Sequence, residues 1–190
     1  MVPEIKKKAD CLLPIFANNF VMQSQGVFNN LCWAAVAISV DHLLNPASDW
    51  KQLCDVVGAV TPNPVGCCSH PSSSECNHEG ELSTALAAHH LDGPLGSEDG
   101  PYASGVLNQI KFDHYWNVIK ADIQSGRVVC AGMDSGNRHY VAIYGYQECG
   151  DQKLVWVQDP YYDPSAYLPY AVFAAKYLGV WQWSEVNQIA

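Results

Sequence analysis

The hydrophobic rhythm of the chain changes near residue 126, from the three-and-four spacing of helices to the alternation of strands. Trp33, Val36, Ala37, Val40, Leu43 and Leu44 mark one helical face, and Asn45-Pro46 ends it. Asn29 or Asn30 is placed to cap its front, which sets Cys32 in the first turn. There, unpaired backbone N–H groups and the positive end of the helix dipole favour a thiolate. A second helix is predicted behind Asp49, with Trp50, Leu53 and Val57 inward and Gly58 as its stop. A third opens at Glu81 and carries Leu82, Ala85, Leu86 and Leu91 as far as Gly93-Pro94. Asp113 is expected to cap a fourth, with Trp116, Ile119 and Ile123 inward and Gly126 at its end. Residues 1–28, 61–80 and 94–102 have no clean period and read as an extended lead-in and two loops.

Period-two runs predict strands over 128–133, 139–147, 154–159 and 180–186, with a short helix near 173–177. Turns fall at Asp134-Ser135-Gly136-Asn137 and Cys149-Gly150-Asp151. Helices first and antiparallel strands later make an α+β layout. At 190 residues and 48% hydrophobic content, one domain over 1–190 is expected, with a helical part from about 20 to 125 and a sheet part from about 126 to 190.

Charge narrows the function. Ten Lys plus Arg against nineteen Asp plus Glu leave a net charge of -9, so phosphate neutralisation has no source and nucleic acid is not an expected partner. The basic run Lys6-Lys7-Lys8 leads into Cys11-Leu12-Leu13, which Pro14 interrupts, and neither a signal peptide nor a membrane span is predicted. The chain has eight cysteines. If Cys32 stays free, the other seven allow at most three bridges and leave one further thiol. Cys54 is expected to pair with Cys67 or Cys68, and the other of that pair with Cys76. A zinc site at Cys67, Cys68, His70, Cys76 and His78 is disfavoured, because adjacent cysteines strain a common tetrahedral shell and no Cys-x2-Cys pair occurs. No metal or cofactor is expected. So many cysteines suggest secretion or export without a visible signal peptide, as an effector or toxin, with the cytoplasm as the alternative.

A thiol nucleophile needs a base, and histidine is the usual one. Of the seven histidines, His42, His89, His90 and His114 belong to helices or their ends, and His70 and His78 to the cysteine-rich loop. His139 opens a strand. A hairpin turning near Gly150 pairs residues whose numbers sum to about 300, which makes His139 and Asp159 near neighbours. Singly, each residue has a blander reading: Cys32 as core filling, His139 as a strand-end histidine, Asp159 before Pro160 as a turn former, Gln25 as a solvated loop residue. Trp116, Trp156, Trp181 and Trp183 read as core or sheet-face aromatics.

Taken together, Gln25 with Cys32-Trp33-Ala34-Ala35, Cys76-Asn77 ahead of a helix, His139-Tyr140-Val141-Ala142-Ile143-Tyr144-Gly145-Tyr146 and Trp156-Val157-Gln158-Asp159-Pro160 resemble the compact bacterial branch of the papain-like cysteine peptidases, which includes the double-glycine leader peptidases and effector proteases. The resemblance runs from about Gln23 to the C-terminus. It implies a papain-like fold, a helical lobe carrying Cys32 packed on a sheet lobe carrying His139 and Asp159, and a protein or peptide substrate in the cleft between. It also implies that Gln25 donates to the oxyanion beside the Cys32 N–H. The chain departs from papain where Asn29 replaces a cysteine three residues before the nucleophile, so Cys76 needs another partner. Asp159 stands for papain's asparagine, and one extra residue between Gln25 and Cys32 keeps Gln23 as a second oxyanion candidate. The segment ahead of Cys32 is short for an autoinhibitory pro-segment. The expected protein is a monomeric thiol hydrolase, with a deamidase or acyltransferase, a non-catalytic binding module and a zinc-stabilised loop protein as alternatives.

Overall fold

A computed structural model describes residues 11–61, 66–162 and 166–189. Lys6-Lys7-Lys8 and residues 62–65 of the first long loop lie outside the described residues. The element order is β1 (Ile15–Phe16), α1 (Cys32–Leu44), α2 (Leu53–Val60), α3 (Leu82–Ala88), β2 (Asp92–Asp99), α4 (Gln109–Gln124), β3 (Val129–Asp134), β4 (Arg138–Cys149), β5 (Gln152–Gln158), β6 (Ala166–Pro169), α5 (Tyr170–Lys176) and β7 (Gln182–Ile189). The strands form one antiparallel sheet in the order β2-β7-β3-β4-β5-β6, with β1 laid against β4. This is the α+β architecture predicted from the change of period.

Helix α1 is buried on every side from Cys32 to Asp41, not along the single face marked by its larger residues. Ala34, Ala35 and Ala37 are small enough to let α2, α3 and β4 approach it closely. No asparagine caps it. Leu31 occupies the cap position without a side-chain bond, while the Asn30 N–H and side-chain amide donate to Asn77 Oδ1 and O at 3.3 and 3.1 Å. That pair fastens the loop around Cys76 to the front of α1.

Helix α2 starts at Leu53, not behind Asp49, because the Asp55 carboxylate accepts from the N–H groups of Lys51 and Gln52 at 2.7 and 2.8 Å. Gly58 lies inside it. Helix α4 begins ahead of Asp113, where Asn108 Oδ1 accepts from Lys111 N–H at 3.1 Å. Asp113 instead sits in the helix and pairs with Lys153 at 3.3 Å. Gly126, at φ +81°, lies just past its end in the left-handed conformation a helix terminus favours.

Three strands lie where no alternation announces them. Residues 94–102, predicted as a loop, contain most of β2, which pairs with β7 at the sheet edge through an irregular register between Asp92 and Ser97. An edge tolerates the Pro94 and Gly93 that a central strand would reject. β1 and β6 are also short and peripheral. Because β1 and β2 precede α4, the sheet does not begin at residue 126.

Trp183 is fully buried, with the rings of Tyr115, Phe173 and Tyr170 at 5.6, 5.4 and 6.0 Å. This aromatic cluster packs α4 and α5 on the sheet. In the β4–β5 hairpin Cys149 pairs with Gln152 around Gly150, and the ladder shifts between Ile143 and Gly145. Gly145 is required there, since a Cβ would come within 2.4 Å of the Phe16 ring crossing from β1. Three disulfides join Cys54 to Cys68, Cys67 to Cys76 and Cys11 to Cys149. The first two are one of the two pairings left open by spacing. The third ties the lead-in to the end of β4. Cys32 and Cys130 are free and buried.

Candidate active site

Cys32 is the first residue of α1, so its N–H has no acceptor within the helix. The residue is 5% exposed and opens onto a cleft of about 700 Å³. Its lining takes Gln25, Asn29, Asn30, Trp33 and Gly80 from the first half of the chain and Arg138, His139, Tyr161, Tyr162 and Trp181 from the second. Gly80 lies flat against the Trp33 indole, where a Cβ would stand 2.5 Å from Cε2. The indole N–H donates to His78 O at 3.0 Å. The loop ahead of α3 is thereby pressed onto the base of the cleft.

The β4–β5 hairpin, whose ladder ends with Ala142 opposite Gln158, brings His139 to Asp159. His139 Nε2 lies 2.9 Å from Asp159 Oδ2. With that nitrogen protonated and donating, Nδ1 is left for a partner on the other side, and the Cys32 thiol lies close enough to act on the imidazole. Burial works against the charged ring, but bonding and charge from Asp159 and Cys32 outweigh it and raise His139 from 6.5 to about 9. The imidazole therefore holds its proton at neutral pH.

Asp159 is itself fully engaged. Oδ1 accepts from the N–H groups of Tyr161 and Tyr162 at 2.8 and 3.1 Å, and Oδ2 accepts from the Tyr177 hydroxyl at 3.0 Å as well as from His139. The Trp181 ring lies 5.4 Å from the His139 ring. Tyr177 drew no reading from the sequence, and Trp181, expected as a core or sheet-face aromatic, lines the cleft instead; only the fold brings them to Asp159 and His139.

Gln25 is 1% exposed, and its N–H donates to Pro160 O at 2.9 Å. The chain leading to it is also held by Met22 N–H on Gln158 Oε1 at 2.6 Å and Gln23 N–H on Ser39 Oγ at 2.7 Å. The side-chain amide donates one N–H to Phe28 O, which leaves the second uncommitted, and Oε1 is buried with no partner. Gln23 is exposed, bonds to Ser24 O and lies outside the cleft. Arg138 pairs with Glu81 at the rim, and Tyr140 donates to the same carboxylate at 3.2 Å.

The other thiols and imidazoles lie elsewhere. Burial, with Asp122 nearby, pushes the Cys130 thiol up to about 12, which keeps it inert. His42 bonds Trp50 O at 2.7 Å, and His89 stacks on the Trp50 ring. Among the described residues, the one cluster with metal-ligand types in reach is Cys54, Asp55 and Cys68, whose two sulfurs already form a disulfide. No helix among the described residues is long and apolar enough to cross a membrane.

Set against known families, the chain matches the Peptidase_C39 like family over residues 18–188. The chain belongs to that family. The Peptidase_C39 like match runs from ahead of α1 to the penultimate residue of β7 and agrees with a papain-like fold and a bacterial papain-like cysteine peptidase superfamily. Membership in the Peptidase_C39 like family supports a cysteine peptidase, a hydrolase of protein or peptide substrates. Comparison with curated proteins finds no match.

Proposed function

We propose that the protein cleaves peptide bonds through Cys32 as nucleophile, His139 as proton carrier and Asp159 as the group that orients the imidazole, with Gln25 and the Cys32 N–H holding the oxyanion. The observation that carries this reading is the 2.9 Å bond between His139 and Asp159 in the same cleft as the free thiol of Cys32. Cys32 Sγ attacks the acyl carbon, and the carbonyl oxygen becomes an oxyanion facing the start of α1. Collapse of the adduct breaks the C–N bond, and His139 gives its proton to the departing amine. A thioester remains. Water then attacks it, leaves a proton on His139 and releases the acid, with Cys32 restored.

The raised proton affinity of His139 suits the first half of this cycle. An imidazole protonated up to about pH 9 can donate to an amine leaving group over the whole neutral range. Three bridges among the described residues favour action in an oxidising compartment. The test is to incubate the wild type and Cys32→Ala with a diverse peptide library and read the products by mass spectrometry. New cleavages in the wild type alone are expected. Matching product profiles from the two proteins would sink Cys32 chemistry.

A further inference from the structure

Asp159 is gripped from a side that Cys32, His139 and Gln25 leave out of play. Its Oδ2 accepts from the Tyr177 hydroxyl at 3.0 Å, and Tyr177 is 1% exposed. Tyr177 is also one end of a tight turn. Its N–H donates to Trp181 O at 2.8 Å, and the Trp181 N–H donates back to Tyr177 O at 3.0 Å. The other end of the turn is therefore Trp181, whose ring lies 5.4 Å from His139. One five-residue turn touches both members of the pair, the carboxylate through a phenol and the imidazole through an indole. Leu178 takes φ +50° to close it, a left-handed conformation that branched side chains rarely adopt, and Gly179 follows at φ +87°. Burial, and then the charge of Asp159, push the Tyr177 phenol well above its ordinary range, so it stays a donor throughout the neutral and mildly alkaline range.

We propose that Tyr177 is a positioning residue of this site: its O–H fixes Asp159 Oδ2 in the one orientation that His139 Nε2 meets. The proposal rests on the reading of Cys32 and His139 as the catalytic pair. Without the hydroxyl, Oδ2 keeps only the His139 ring as donor, and the carboxylate can pivot, carrying that bond with it, about the Oδ1 anchor on Tyr161 and Tyr162. His139 then loses its fixed partner while the fold keeps every apolar contact of the Tyr177 ring. A phenol that merely satisfied itself on a nearby acceptor would leave the imidazole unaffected when removed.

The experiment uses Tyr177→Phe in the full chain, with two readouts. One is the downfield proton NMR signal of the His139 Nε2–H, and the other is the rate of Cys32 alkylation by iodoacetamide between pH 5.5 and 9.5. In folded Tyr177→Phe the proton should broaden or vanish by exchange with water, and alkylation below pH 7 should slow about tenfold. An unchanged proton and unchanged rate beside a reactive wild type would overturn the role of Tyr177 and leave the catalytic reading standing. A wild-type Cys32 no more reactive than a free thiol would overturn both. Should the Phe variant fail to fold, 3-fluorotyrosine at position 177 keeps the hydroxyl and changes its donor strength. A shifted His139 proton then supports the proposal, and an unshifted one defeats it.

Discussion

Among the described residues, two histidines meet a buried aspartate, and they differ in almost everything else. His139 lies 2.9 Å from Asp159, whose two oxygens take two backbone N–H groups and a phenol besides. His89 lies 3.3 Å from Asp41 and 3.6 Å from the exposed Asp49, with its ring stacked 3.4 Å from that of Trp50. Asp41 takes the Ser48 hydroxyl on one oxygen and has no hydrogen bond on the other. A histidine beside a carboxylate is therefore not the feature that marks a site. What distinguishes His139 is a carboxylate with no freedom left and a thiol on the far side of the ring. His89 has an aromatic face there instead, and the pair braces α1 against the end of α3.

The largest expected effect breaks the comparison at the thiol. Cys32→Ala should lose peptidase activity by at least about 10³-fold with the fold intact, checked by peptide cleavage and circular dichroism. Next, Asp159→Ala should lower kcat by about 10² to 10⁴-fold, because His139 keeps its nitrogen but loses its orientation. The matched change at the other pair, Asp41→Asn with His89→Ala, should leave kcat within about twofold, since neither residue reaches the cleft. A loss of kcat there comparable to that of Asp159→Ala would erase the distinction drawn between the pairs.

Stability should separate the pairs in the opposite sense. His89→Ala leaves the buried Asp41 Oδ1 without its one polar side-chain neighbour and should cost about 1–3 kcal/mol in denaturant unfolding. The pH dependence belongs to His139. Its folded pKa, about 9, lies above the unfolded 6.5, so the stabilisation is fully present below about pH 6.5 and is lost as pH rises towards 9. Urea unfolding of the wild type across that window should show the fall, and a His139→Ala chain should show a flatter curve. The smallest effect is at the spare thiol. Cys130→Ala should leave activity unchanged, because that sulfur is buried in β3 away from the cleft.

Residue chemistry and period made part of this site readable in advance. The β4–β5 hairpin follows from two alternating runs about Gly150, and its ladder, which ends with Ala142 opposite Gln158, leaves His139 and Asp159 within reach of each other. Spacing led to bridges from Cys54 and Cys76 to the adjacent Cys67 and Cys68 and left open which takes which; the fold joins Cys54 to Cys68 and Cys67 to Cys76. What escaped the sequence has physical causes as specific as what did not. β2 is an edge strand with Gly93 and Pro94, so half-burial never imprinted an alternation on it. Asn30 looks like a helix cap, but a long-range bond to Asn77 claims it. Trp181 and Tyr177 sit in a turn after a short helix, where one aromatic looks like any other until the chain folds them onto His139 and Asp159. The bridge from Cys11 to Cys149 has a separation of 138 residues, beyond the reach of any spacing argument.

The most direct measurement of the catalytic reading is the rate at which iodoacetamide alkylates Cys32 at pH 5.5, with the modified residue identified by mass spectrometry. Cys32 is expected to react selectively and well ahead of Cys130, and at least about tenfold faster than a free thiol such as glutathione, with the excess lost in His139→Ala. A Cys32 that reacts no faster than glutathione, or that keeps its rate without His139, would contradict the assignment of a thiol and imidazole acting as one unit.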